Sequence, residues 1–155
     1  MNTILYERQL EEYYCTLCYA LFDFKRRTVT IANSGLPYPI RWNRASADRQ
    51  DHGGEADHIE IAGIPLGSFP GSSYDELTLN LEPGDVFVFC TDGVSEAQDE
   101  AGREFGTLRA RQVVRQVVNR SARELVDAVF TAVLDFRGDA LPHDDTTAVV
   151  VKING

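Results

Sequence analysis

Two apolar runs constrain this chain more than anything else in it. Residues 85–91 read DVFVFCT, and residues 146–153 read TTAVVVKI. β-branched and aromatic residues dominate both, so the first is expected to be a strand in the interior of a sheet covered on both faces and the second a final buried strand. Acidic residues bracket them asymmetrically. Asp92 and Gly93 follow the first run, and Asp144 and Asp145 precede the second. If the two strands are antiparallel neighbours, the end of one meets the start of the other. The three carboxylates then converge on one rim of the sheet.

The remaining pattern is predicted as one helix, further strands joined by short turns, two helices and the closing strand. A polar-rich helix is expected over residues 2–12. A long strand at 14–24 turns through DFKRR and returns at 28–33 as a hairpin. IRWN, HIEIA and YDELTLNL supply further strands, while NSGLPYP and GIPLGSFPGSS are loops set by Gly and Pro. The polar stretch 44–57, with its paired glycines, is read as a surface loop. One helix is placed at 107–119. The second opens with SARE, a capping box with Ser121 as N-cap and Glu124 at N3. Its apolar positions 122, 125, 126, 129, 133 and 136 keep the helical period. The fold class is therefore α+β, with an antiparallel or mixed sheet carrying packed helices.

Composition narrows the function classes. A net charge of −9 argues against nonspecific binding to nucleic acid or to an anionic membrane surface. No apolar run reaches membrane-spanning length, and the opening MNTILYERQLEEYY lacks the layout of a secretory signal. An odd count of three cysteines, widely spaced, points to a reducing cytoplasm. Cys15 and Cys18 form a CxxC, but on a strand residues three apart face opposite sides. They are expected to be buried packing residues, not metal ligands. No GxxxxGK[ST] or GxGxxG motif is present.

Converging carboxylates repel unless a cation neutralises them. Mg²⁺ or Mn²⁺ suits such oxygen donors and keeps several waters when few carboxylates bind it. Gly93 fits a close backbone approach. The competing reading stands beside it: TDG and HDDT also serve as turns in which Asp caps free amides. His143 is expected to be an idle loop histidine, and Ser34 and Ser95 have no histidine partner that would make either a nucleophile.

The ordered segments carry a family resemblance. YCTLCYALFDFKRRTVTIANSGLPYPIRW, GIPLG, LEPGDVFVFCTDGVSEAQDEAGREFG and HDDTTAVVVKI resemble, in order, successive segments of the SpoIIE/RsbU-type serine phosphatases. These form the bacterial branch of the metal-dependent PPM phosphatases. The resemblance implies a β-sandwich of mostly antiparallel strands flanked by helices, with a two-metal Mn²⁺ or Mg²⁺ centre. It implies metal ligation by Asp92 and Asp144, an adjacent or ligating role for Asp145, and a metal-site backbone at Gly93. It further implies a phosphoserine or phosphothreonine protein phosphatase. Its substrate would be a small regulatory protein of the anti-anti-sigma-factor type, in bacterial signalling.

The sequence departs from that family in two places. Leu36 stands where NAGH-like turns carry histidine. The family's GDxxGHG-like segment, which bears the metal-bridging aspartate, is absent; DHGG at 51–54 is only a superficial echo. The expectation is a single domain over 1–155 lacking its N-terminal strands, holding one metal or none. A homodimer through the exposed sheet edge follows as a hypothesis. The alternative is a noncatalytic protein-binding module that keeps the phosphatase fold.

Overall fold

The computed structural model describes residues 1–8, 14–43 and 56–154. Among these residues the chain forms seven strands and four helices. They fall into two compact units, Met1–Tyr38 with Glu60–Leu81 and Pro39–Ile59 with Glu82–Gly155.

The first unit contains helix α1 (Asn2–Glu7) and strands β1 (Leu17–Asp23), β2 (Thr28–Ser34) and β5 (Leu77–Asn80). The hairpin forms as expected, with β1 antiparallel to β2 from Leu17↔Ser34 to Asp23↔Thr28. Asp23 closes its turn by accepting the N–H groups of Lys25 and Arg26. β5 adds to the far side of β2, giving the order β1-β2-β5. Val29 and Ile31 on β2 are fully buried.

The glycine-bearing loop at 63–67 has a tertiary reason. A Cβ on Gly63 would stand 1.9 Å from the Asn33 carbonyl oxygen. The Asn33 side chain binds both the Leu36 carbonyl at 2.8 Å and the Ile61 carbonyl at 3.1 Å. Only a residue without a side chain lets the two segments lie this close. Asn2 ties α1 down, donating to the Phe69 carbonyl and accepting from the Gly67 N–H.

The second unit contains β3 (Ile40–Trp42), β4 (Ala56–His58), β6 (Val86–Cys90) and β7 (Ala148–Lys152). It also contains the short helix α2 (Asp92–Ser95) and the longer helices α3 (Gly106–Val117) and α4 (Ala122–Arg137). The sheet order is β4-β3-β6-β7, antiparallel at every step. Val86, Phe87 and Val88 are buried on both faces, as the apolar run requires. Val86 and Val88 share a core with Val114, Leu125, Val129 and Val133 of the two long helices. Removing a side chain such as Leu125 or Val88 from water stabilises the fold by roughly 1.5–3 kcal/mol each.

The capping box of α4 is complete. Ser121 Oγ accepts from the Glu124 N–H at 3.3 Å, and Glu124 accepts from the Ser121 N–H at 2.9 Å. The Glu124 carboxyl is held below its ordinary range, first by the Ser121 N–H and then by the Ser121 hydroxyl.

Several expectations need correction. The strand expected at HIEIA is displaced: β4 runs Ala56–His58, taking Ala56 and Asp57 from the expected 44–57 loop and only His58 from HIEIA, because pairing with β3 ends at Ile40↔His58. Beyond it Ile59 donates once to the Pro39 carbonyl, and both Ile59 and Ile61 are buried outside any ladder. The first helix runs Asn2–Glu7 with Arg8 as its C-cap; residues 9–12 of its expected span, Leu10 included, lie outside the described residues. The same is true of most of the 44–57 loop and of DHGG. Cys15 is exposed rather than buried, while Cys18 and Cys90 are partly buried. It lies outside β1 and forms a single bridge with Leu66, so no sheet face covers it.

Candidate metal centre

β6 and β7 are antiparallel neighbours, paired from Val86↔Lys152 to Cys90↔Ala148. This register brings the residues after β6 beside the residues before β7. The ladder continues past both strand ends, because Thr91 N–H donates to the Thr147 carbonyl at 3.0 Å. The Thr91 hydroxyl donates to the Asp145 carbonyl at 3.2 Å and accepts from the Thr147 N–H at 2.9 Å. The Thr146 hydroxyl donates to the Gly93 carbonyl at 3.3 Å. The two acidic segments are thus laced together through backbone and threonine hydroxyls.

Gly93 lies at the closest approach. A Cβ there would stand 2.3 Å from the Asp145 carbonyl oxygen and 2.9 Å from its carbonyl carbon. Gly93 is buried, with Asp92 partly exposed beside it and Asp144 and Asp145 exposed across from it. The sequence question of why the smallest residue follows Asp92 has a steric answer: the opposing backbone occupies that space.

The carboxylates are held locally. Asp92 Oδ1 accepts the Gly93 N–H at 3.1 Å, and Asp144 Oδ1 accepts the Asp145 N–H at 2.7 Å. The turn-capping reading therefore describes one oxygen of each group. Among the described residues, none of Asp92, Asp144 and Asp145 takes part in an ion pair; the salt bridges lie elsewhere. A rim of carboxylates without a cationic partner fits the donor set that Mg²⁺ and Mn²⁺ prefer. Three such side chains do not close into a compact cage, since no group of three or more His, Cys, Asp or Glu gathers among the described residues. His143 is exposed. Ser34 is occupied with both the N–H and the carbonyl of Leu17. Ser95 donates to the Asp92 carbonyl.

The sequence reading missed a buried ion pair at the opposite end of β6 from this rim. Asp85 is fully buried, and its Oδ2 lies 2.6 Å from Arg41 Nη2. The same oxygen accepts the Glu82 N–H at 3.1 Å, closing the turn into β6. The Arg41 guanidinium also lies 5.4 Å from the centre of the Phe87 ring. An acidic residue opening an apolar strand was the available signal, but its partner is 44 positions away.

The architecture is that of PP2C-type phosphatase domains. The SiaA PP2C domain of Pseudomonas aeruginosa superimposes with a TM-score of 0.77 at 19% identity, over 96% of this chain and 56% of that one. The Mn-presoaked phosphatase domain of SpoIIE from Bacillus subtilis gives 0.71 at 20% identity, over 99% of this chain and 63% of that one. The profile described as Stage II sporulation protein E (SpoIIE) matches residues 1–154, and the chain belongs to that family. Among curated proteins, the phosphoserine phosphatase RsbU of Bacillus subtilis is 24% identical over 153 residues, 98% of this chain and 43% of RsbU. Protein IcfG of Synechocystis is 22% identical over 91% of this chain and 21% of its own length. The chain thus spans less than half the length of the curated relatives it matches.

Proposed function

We propose that this chain belongs to a metal-dependent phosphoserine or phosphothreonine protein phosphatase that acts on a small regulatory protein in bacterial signalling. The observation that supports the reading best is the lacing of the Asp92–Gly93 segment to Asp144–Asp145 at one sheet rim. Family membership and the relatives named as phosphoserine or PP2C phosphatases support the reaction class. An anti-anti-sigma-type substrate and a cytoplasmic setting are part of the same proposal.

Asp92 and Asp144 would hold a Mn²⁺ or Mg²⁺ ion, with Asp145 beside them. A bound cation would supply Lewis-acid chemistry for hydrolysis of a phosphate ester. The protein's own contribution is positional. Thr91 and Thr146 fix the two acidic segments at one spacing, and Gly93 leaves the gap between backbones narrow. The Thr91–Asp145 and Thr146–Gly93 hydrogen bonds hold the two backbones side by side. A second cation requires more ligands than the described residues bring to this rim.

That same observation favours a second reading, a noncatalytic module that keeps the fold and binds a partner protein. Calorimetric titration with Mn²⁺ separates the two. Micromolar-to-millimolar binding that disappears in Asp92→Asn supports the metal centre. A wild-type chain that binds no Mn²⁺ refutes it for this chain and leaves the binding module.

A further inference from the structure

Behind the acidic rim lies a small cavity of about 10 Å³, lined by Gly93, Glu96, Val133, Arg137, His143 and Asp144 among others. That volume suits a single water molecule. Arg137 reaches it from the last turn of α4. Its Nε is buried and meets no hydrogen-bond acceptor among the described residues. Arg137 also takes part in none of the ion pairs. A buried guanidinium donor costs stability unless something accepts from it. The acidic groups lining the same cavity are Glu96 and Asp144.

We propose that Arg137 is a positioning residue for Asp144, holding the 142–144 turn from the α4 side through one water in this cavity. The ligand role of Asp144 rests on the function proposed above; the coupling of Arg137 to the turn does not. The plainer role for a cation here is to complement the helix C-terminus. A lysine would serve that role equally. It would not serve the positioning role, because it carries no donor at the Nε position, the atom that is buried here without an acceptor.

The test is amide hydrogen exchange of the metal-free chain, read on peptides covering 139–147 and, as a control, 122–134. Arg137→Gln and Arg137→Lys are compared with wild type. The expected result is about tenfold faster exchange at 144–147 in both variants, the scale of one lost water-mediated hydrogen bond to a charged group, with 122–134 unchanged. Wild-type exchange in Arg137→Lys would overturn the proposal in favour of the helix-charge role. Unchanged exchange in both would overturn it outright. Should Arg137→Gln fail to fold, the Lys variant alone decides. Parallel Mn²⁺ titrations separate this inference from the functional reading. Faster exchange in a chain that binds no Mn²⁺ keeps the positioning role and removes the metal. Unaltered exchange in a chain that binds Mn²⁺ does the reverse.

Discussion

Replacing Gly93 by alanine tests the closure of the acidic rim directly. Two effects oppose each other. Gly93 lies within α2, where alanine is intrinsically favoured by about 1 kcal/mol. Against this, the new Cβ would stand 2.3 Å from the Asp145 carbonyl oxygen, and real Cβ contacts do not fall below 3.0 Å. The obstacle is backbone, so no rotamer change relieves it. Overpacking of this kind costs about 1–3 kcal/mol. Retreat of the 145–146 backbone also stretches the Thr91–Asp145 and Thr146–Gly93 bonds, already 3.2 and 3.3 Å long. Losing both adds about 1–2 kcal/mol. The steric and hydrogen-bond terms outweigh the propensity gain, and the net expectation is a destabilisation of about 2 kcal/mol. Urea unfolding followed by circular dichroism measures it. With a slope of about 2 kcal/mol/M, the midpoint falls by about 1 M. A Gly93→Ala protein as stable as wild type, or more stable, would refute the close approach and the rim geometry built on it.

Other outcomes follow from single contacts. Val88→Asp puts a carboxylate at a site 1% exposed; the penalty of several kcal/mol per uncompensated ion should abolish cooperative unfolding, and a soluble variant with a normal transition would contradict the sheet placement. Asp85→Ala breaks the buried pair with Arg41 and frees the Glu82 N–H, and should cost about 3–5 kcal/mol by the same urea assay, whereas a loss under 1 kcal/mol would mean the pair is solvated. The Asp99 carboxyl is held below its ordinary 3.8, first by the Arg103 N–H and then by the Arg103 side chain. Its contribution is present above pH 3.8 and is lost as the pH falls through the lower folded value, so wild type and Asp99→Asn should converge in stability only in acid. Burial raises the Cys90 thiol from 9.0 to about 11. The stability it contributes is complete below pH 9 and is lost as the pH rises through about 11; at pH 8 exposed Cys15 should react first with a thiol reagent, and a faster Cys90 would show it to be accessible.

The sequence by itself determined the elements whose signals are local. The capping box at Ser121 and Glu124, the period of α4 and the hairpin 17–34 were legible because each is decided within a few residues. The two apolar runs were legible as strands, and their antiparallel pairing brought Asp92 towards Asp144 and Asp145, but the burial expected of the second was not met: β6 lies between two strands and is buried, whereas β7 ends the strand order and leaves Val149 52% exposed. The family pattern carried the fold class, from segments kept in order. Tertiary structure alone decided the rest. Gly63 and Gly93 are glycine because backbones distant in sequence, at Asn33 and Asp145, fill the space a Cβ would need. Asp85 was read only as the opening residue of the first apolar run and proved to be a buried ion, because Arg41 arrives from β3 through a register that no local pattern encodes. The extent of β4 was misjudged for the same reason: alternation shows that Ile59 and Ile61 are buried, but the length of the partner strand sets where hydrogen bonding stops. Periodicity reports which side of a segment meets the core. Only the assembled chain determines which atoms wait on the other side.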